Sequence, residues 1–172
     1  MRRFVVLAVV SSVVAGFFLA PAVAVADTGG VTCAGTQTVT YSPGIVLQPS
    51  VQTIHFSHVL APCSSTTVPG LTAGFSEGTA TRSASCLDLL ESDSAVLTFH
   101  WNTGESSVFT YDRTVTTVGG STVVTLTGSV TAGLFAGAAA VMVVIGPAVN
   151  LLACLYAPGL AGRSGVVALE IT

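Results

Sequence analysis

The sequence predicts an all-β fold, an antiparallel β-sandwich or flattened β-barrel of about eight or nine strands stapled by two disulfides. Three observations predict it. Runs rich in Thr, Val and aromatic residues alternate apolar and polar side chains with period two. Gly- and Pro-bearing clusters punctuate those runs at short intervals. Beyond residue 26, no stretch has the length and 3.6-residue period of a strong amphipathic helix. Period-two alternation is common to sandwiches and barrels, so it leaves the choice between them open.

Residues 1–26 read as a cleavable export signal. Met1-Arg2-Arg3 is a short basic start, 4–20 is almost wholly apolar, and Ala24-Val25-Ala26 offers a small-x-small cleavage site before Asp27. Residues 27–172 then form a single secreted domain, extracellular or associated with the cell envelope, where disulfides persist. Cys33, Cys63, Cys86 and Cys154 are an even set in that setting and imply two bridges with three possible pairings. Cys33–Cys63 with Cys86–Cys154 is favoured, because the first closes an N-terminal unit and the second ties the middle to the end. Neither a Cys-x-x-Cys redox spacing nor the closely spaced ligand pairs of a zinc site are present, so the cysteines read as staples.

The strands follow in order. Residues 36–42 (TQTVTYS) put Val39 and Tyr41 on one face, and Ser42-Pro43-Gly44 turns the chain. Residues 51–60 alternate with Ile54 and Phe56 inward and His55 outward. Residues 71–82 are interrupted by glycine, which predicts a bulge near Gly74 or Gly78. Residues 95–101 face Ala95, Leu97, Phe99 and Trp101 one way, and Asn102-Thr103-Gly104 makes a hairpin. Residues 106–118 run back with Phe109, Tyr111 and Val115 on a single face. Gly119-Gly120 makes a second tight hairpin into 121–130, with Val124, Leu126 and Val130 inward. Residues 134–156 carry no charge and are long enough to span a bilayer. Gly146-Pro147 and Asn150 interrupt them, however, and no basic cluster flanks them. They read as a buried strand at 138–145 and a loop with one helical turn near 149–156, so no stable membrane span is expected in the mature chain. Residues 165–172 close the domain with Val167, Leu169 and Ile171 inward.

Charge excludes one large class of partner. There is no lysine, and beyond the signal only Arg82, Arg113 and Arg163 are basic, against eight carboxylates. Three isolated arginines cannot neutralise many phosphates, so no nucleic-acid binding is expected. Reactive constellations are also missing. His55 and His58 point to opposite faces of one strand and His100 lies on another, which reads as solvated histidines and not a metal site. Asp88, Glu91 and Asp93 cluster after Cys86 without the glycine of a calcium loop, which reads as an acidic solvated loop. Glu77, Glu105 and Asp112 could supply a glycosidase pair, but Asp112 beside Arg113 suggests surface pairing instead. Gly162-Arg163-Ser164-Gly165 lacks the strand-to-helix context of a nucleophilic serine. No catalytic, cofactor-binding or metal-binding residue is assigned, no cofactor is implied, and enzymatic activity is not expected. Phe99, Trp101, Phe109 and Tyr111 read as core and not as a sugar platform. The loop 64–69 beside Cys63 is the only feature that invites protease inhibition.

The segments VTCAGTQTVTYSPGI, TFHWNTGESSVFTY, LTGSVTAGLFAG and LLACLYAPGLAGRSGVVALEI, in this order, resemble a family of small secreted actinobacterial β-rich proteins of unknown function. The likeness covers nearly the whole mature chain. Its motifs are turn, strand and cysteine signatures, so it implies fold and export alone. In composition the chain is also similar to the enediyne-carrying apoproteins, which are exported, acidic, lysine-poor two-disulfide β-sandwiches. This chain is longer and lacks their short-loop disulfides. The expected function is that of an exported non-catalytic β domain binding a partner protein or envelope polymer. The alternative is a carrier of an apolar small molecule, motivated by the excess hydrophobicity of 134–155. A dry, filled interior would count against the carrier. A hydrolase with an unrecognised site is a third reading.

Overall fold

The computed structural model describes residues 30–172; the signal expected at 1–26 and its cleavage point lie outside the described residues. Eight strands follow in chain order: β1 (Val31–Ile45), β2 (Ser50–Ser65), β3 (Gly74–Ala84), β4 (Asp93–Trp101), β5 (Ser106–Val118), β6 (Ser121–Gly133), β7 (Ala139–Pro147) and β8 (Leu160–Ile171). Each pairs antiparallel with the next, and β8 returns to β1, so a single sheet closes into a barrel. The sandwich half of the expectation is corrected here. Closure depends on a non-local pairing, from Val31↔Ile171 to Thr40↔Gly162, which no alternation pattern encodes. With eight strands, the first and last run antiparallel, and their ladder closes the sheet.

The period-two pattern translates directly into inside and outside. Val31, Cys33, Leu60, Leu97, Phe99, Trp101, Phe109, Leu126, Val130, Ala140, Met142, Leu169 and Ile171 are buried and form the main core. Outward positions such as Thr36, Thr38 and Thr40 on β1 are exposed. At the filled end, the Phe99 ring centroid lies 5.7 Å from Trp101 and 5.9 Å from Phe109. Trp101 Nε1 donates to Ser107 Oγ at 2.8 Å, and that hydroxyl donates to the Leu134 carbonyl at 2.6 Å. The buried indole N–H is therefore satisfied.

The bulge expected at Gly74 or Gly78 is absent. The β2–β3 register is unbroken from Ser50↔Ala84 to Leu60↔Gly74. These glycines make room for aromatics instead: a Cβ on Gly78 would fall 2.7 Å from the Phe56 ring, and one on Gly74 would fall 2.6 Å from Trp101. Register shifts lie elsewhere: in β1 between Cys33 and Gly35 and between Thr40 and Ile45, and in β5 between Val108 and Phe109. Residues 134–156 become a turn, strand β7 and a loop of successive turns closed by bonds such as Cys154 N to the Leu151 carbonyl. No helix among the described residues is long and apolar enough to cross a membrane.

Both disulfides form in the favoured pairing, which is compatible with an extracellular setting. Cys33–Cys63 bridges directly paired residues of β1 and β2, with Cα atoms 4.1 Å apart. Cys86–Cys154 joins two loops at the opposite end of the barrel. There, Cys86 N donates to the Val46 carbonyl at 2.9 Å and Leu47 N to the Cys154 carbonyl at 3.0 Å. Three loops, 46–49, 85–92 and 148–159, are thus tied into one cap. Beneath it Tyr41, Ile45, Ala84, Cys86, Leu89 and Cys154 form a second, smaller core.

The bridges close chain separations of 30 and 68 residues. On the chain-entropy relation these stabilise by about 3.5 and about 4.5 kcal/mol respectively. In urea unfolding, the double variant C86A/C154A is expected to lose the larger amount and C33A/C63A the smaller. The reverse order would show that loop length does not govern their contribution.

Candidate functional site

The barrel wall is weakest between β3 and β4. These strands pair only at Gly74↔Trp101 and Phe75↔His100, whereas the neighbouring β2–β3 and β4–β5 ladders run the length of their strands. Above that short zip β3 and β4 part, and the connecting segment 85–92 crosses the end of the barrel with a 3-10 turn at Leu87–Leu90. Ala80 and Arg82 on β3 share the inward phase of the buried Ser76 and Ala84, yet both are exposed. Ala95 on β4 is in phase with the buried Leu97 and Phe99 and is likewise exposed. Inner-wall residues open to solvent mark an interior that can be entered through the side.

Behind the seam lies a cavity of about 390 Å³, set between the main core and the cap. Its apolar walls include Leu97, Leu126 and Val144 from the core, and Ile45 and Leu89 from the cap. Space remains because the inner face of β3 offers only Gly74, Ser76, Gly78, Ala80, Arg82 and Ala84, with no large apolar side chain among them. The interior is therefore filled at one end and hollow at the other.

All three arginines beyond residue 26, Arg82, Arg113 and Arg163, line this one cavity. The sequence alone presents them as isolated surface charges. The structure corrects it, because each stands at an inward position of its strand. The signal was present in the alternation: Arg113 shares the phase of Phe109 and Tyr111, and Arg163 that of Val167, Leu169 and Ile171. Arg113 is committed locally. Its Nε lies 3.3 Å from Asp93 Oδ1, and its Nη2 donates to the carbonyls of Glu91 at 2.8 Å, Asp88 at 3.2 Å and Leu89 at 3.3 Å. That guanidinium organises the acidic segment, in which Glu91 and Asp93 remain exposed as expected. Asp88 Oδ2 further accepts from Ser85 N at 2.6 Å. The pairing expected between Arg113 and Asp112 does not occur, because adjacent strand residues face opposite ways; Asp112 accepts from Ser94 Oγ at 2.6 Å instead. Among the described residues, Arg82 and Arg163 form no ion pair.

Tyr41 and Tyr111 also line the cavity. Burial pushes the Tyr41 phenol above its usual 10.0, while the positive charges of Arg163, Arg113 and Arg82 pull it back. Burial and the Asp93 carboxylate raise Tyr111, against Arg113. At the cavity floor Gln37 Nε2 lies 2.9 Å from His58 Nε2 across the β1–β2 ladder. An amide NH2 can only donate, so Nε2 accepts and the imidazole proton sits on Nδ1. His58 is 2% exposed, and burial lowers its pKa from 6.5 to about 4, with the Ser76 backbone pulling weakly the other way. The expectation of solvated histidines therefore fails at His58. His55 and His100 do stay outside: His55 Nδ1 lies 3.1 Å from Thr79 Oγ1, and His100 stacks on Phe75 at 5.1 Å.

The structure does not gather the candidate carboxylates. Glu77 and Asp112 occupy exposed outward positions of β3 and β5, and Glu105 lies in the β4–β5 hairpin. No group of three His, Cys, Asp or Glu residues suited to a metal ion occurs among the described residues. Comparison with protein-family models, with curated proteins and with solved structures finds no match to this chain, so the functional argument rests on the geometry alone.

His58 carries a pH signature. With its folded pKa depressed, stability is full above the unfolded value of 6.5 and is lost as pH falls toward about 4. The loss amounts to at most about 3 kcal/mol. Urea unfolding followed across that window should show the decline, and H58Q should flatten it. An H58Q profile as steep as the parent's would assign the decline to other groups.

Proposed function

We propose that this protein is an exported, non-catalytic binding domain that carries a small, largely apolar molecule in the hollow end of its barrel. The observation that carries this reading is the parted β3–β4 seam, which opens an apolar-walled cavity of about 390 Å³ to the side of an otherwise filled barrel. That volume falls within the range of small-molecule sites, and eight strands are the number at which a barrel interior is either filled by side chains or holds one small ligand. The disulfide-tied cap supports the reading further, because it fixes the roof of the cavity without filling it. The interior is not the dry, packed one that would count against a carrier.

Binding of a partner protein or envelope polymer is the second reading. The loop 148–159 favours it, since Leu152 and Tyr156 are 76% and 78% exposed at its surface.

Ala80 and Ala95 flank the opening and are exposed, so a large side chain there would block the cavity without overpacking the core. The neutral dye N-phenyl-1-naphthylamine is expected to bind one to one with enhanced fluorescence. A95W should weaken that binding at least tenfold while changing unfolding free energy by less than about 0.5 kcal/mol. A parent protein that gives no saturable enhancement would remove the carrier reading.

A further inference from the structure

We infer that the molecule carried in the cavity bears an anionic oxygen group, a carboxylate or a phosphate, and that Arg82 and Arg163 hold it at the cavity mouth while its apolar body lies against Leu97, Leu126 and Val144. This rests on the carrier reading and specifies the ligand class for the same site.

Beyond residue 26 the chain has only three cations against eight carboxylates. A random distribution over an acidic surface would scatter three arginines; here all of them point into one cavity from three different strands, β3, β5 and β8. Two carboxylates, Asp88 and Asp93, line the same space. Asp93 is joined to Arg113, and Asp88 is turned onto the Ser85 backbone N–H. Arg113 is further occupied by three loop carbonyls, so its role is to hold the cap. Arg82 and Arg163 remain, with no carboxylate partner among the described residues. Both act on the buried Tyr41 phenol, Arg163 more strongly than Arg82.

Two like charges at one cavity repel, and neither has a carboxylate partner among the described residues; Arg163 alone has a neutral partner, the Tyr41 phenol. An anion placed between them relieves that repulsion and accepts charge-assisted hydrogen bonds. The planar guanidinium suits the two oxygens of a carboxylate or phosphate in bidentate fashion. Leu97, Leu126 and Val144 offer no donor to a second polar group, which makes the complementary ligand an amphiphile with one charged end. At the floor Gln37 donates to Nε2 of a neutral His58, which supplies no countercharge, so the charged end belongs at the mouth.

The test compares four single-chain ligands of equal tail length, below their micellar concentrations, by isothermal titration calorimetry on the oxidised protein. The ligands are dodecanoate, dodecyl phosphate, dodecanol and dodecylammonium, with inorganic phosphate as a fifth arm. Dodecanoate or dodecyl phosphate is expected to bind at least tenfold more tightly than dodecanol and dodecylammonium. The advantage should shrink as salt is raised. R82Q/R163Q should bring dodecanoate affinity down to the level of dodecanol, and R82K/R163K should retain most of the advantage. Arg113 is left intact, because its removal would release the cap. Equal affinity for dodecanol and dodecanoate would overturn the anionic assignment and leave the carrier reading standing. Binding of none of the tailed ligands would overturn both. Inorganic phosphate binding as tightly as dodecyl phosphate would overturn the amphiphile and indicate a site for a free anion.

Discussion

The architecture depends on an asymmetry in how the sheet is closed. At the β1–β8 junction, closure is a long ladder from Val31↔Ile171 to Thr40↔Gly162. At the β3–β4 junction it is two residue pairs beside Trp101. Backbone N–H and C=O groups that the ladder leaves unpaired must find solvent or a loop, and this is where segment 85–92 enters. Arg113 gathers three of its carbonyls and Asp93 around one guanidinium, and Cys86 anchors it to Cys154. The seam is thus held apart by a structured cap and is not simply a frayed edge.

The same asymmetry sorts the interior chemistry. Where the ladders are complete, the inner face carries Phe99, Trp101, Phe109 and Met142, and their rings and chains fill the barrel to a dry core. Toward the seam the inner positions pass to alanine, glycine and arginine. Polar groups buried at the boundary are paired where they cross strands, as Gln37 and His58 are. A neutral imidazole is the form such a boundary tolerates, because ionising it would place an uncompensated charge under an apolar wall.

Much of this was legible in the residues. Alternation places Ile54, Phe56, Leu97, Phe99, Val130, Leu169 and Ile171 inside, because the side-chain period of a strand is fixed by its geometry. Asn102-Thr103-Gly104 and Gly119-Gly120 turn where expected; Gly119 and Gly120 adopt φ of 57° and 81°, which a hairpin turn of that kind requires. Of the three possible disulfide pairings, the favoured one is the one that forms. What alternation could not supply is anything that depends on which strands meet. Barrel closure, the short β3–β4 ladder and the meeting of Arg82, Arg113 and Arg163 are all consequences of non-local pairing. The inward phase of Arg113 and Arg163 was nevertheless available from their neighbours. A charged residue in phase with Phe109 or with Val167 and Leu169 is the anomaly that a reading by composition overlooks. His58 was misplaced for a related reason: its two-residue spacing from Phe56 and Leu60 puts it inside with them, and histidine chemistry alone suggests the surface.

Energetics bear on what the hollow end would gain from the proposed occupant. Leaving a cavity in a packed interior costs about 24 cal/mol per Å³ in core-truncation series. Applied to about 390 Å³, a dry void would cost about 9 kcal/mol, comparable with the whole stability of a typical domain. The open seam and the arginines at its mouth admit water, which lowers that cost, but water against Leu97, Leu126 and Val144 is itself unfavourable because those walls offer no hydrogen bonds. Filling the space with side chains would have required only larger residues at Ala80, Ala84 or Ala95, a change within easy reach of a sequence that places Phe and Trp two and four positions along β4 from Leu97. A fold that keeps small residues on both sides of the gap, and ties a roof above it with a disulfide, retains a space whose walls gain most from an apolar occupant that can displace water through the seam.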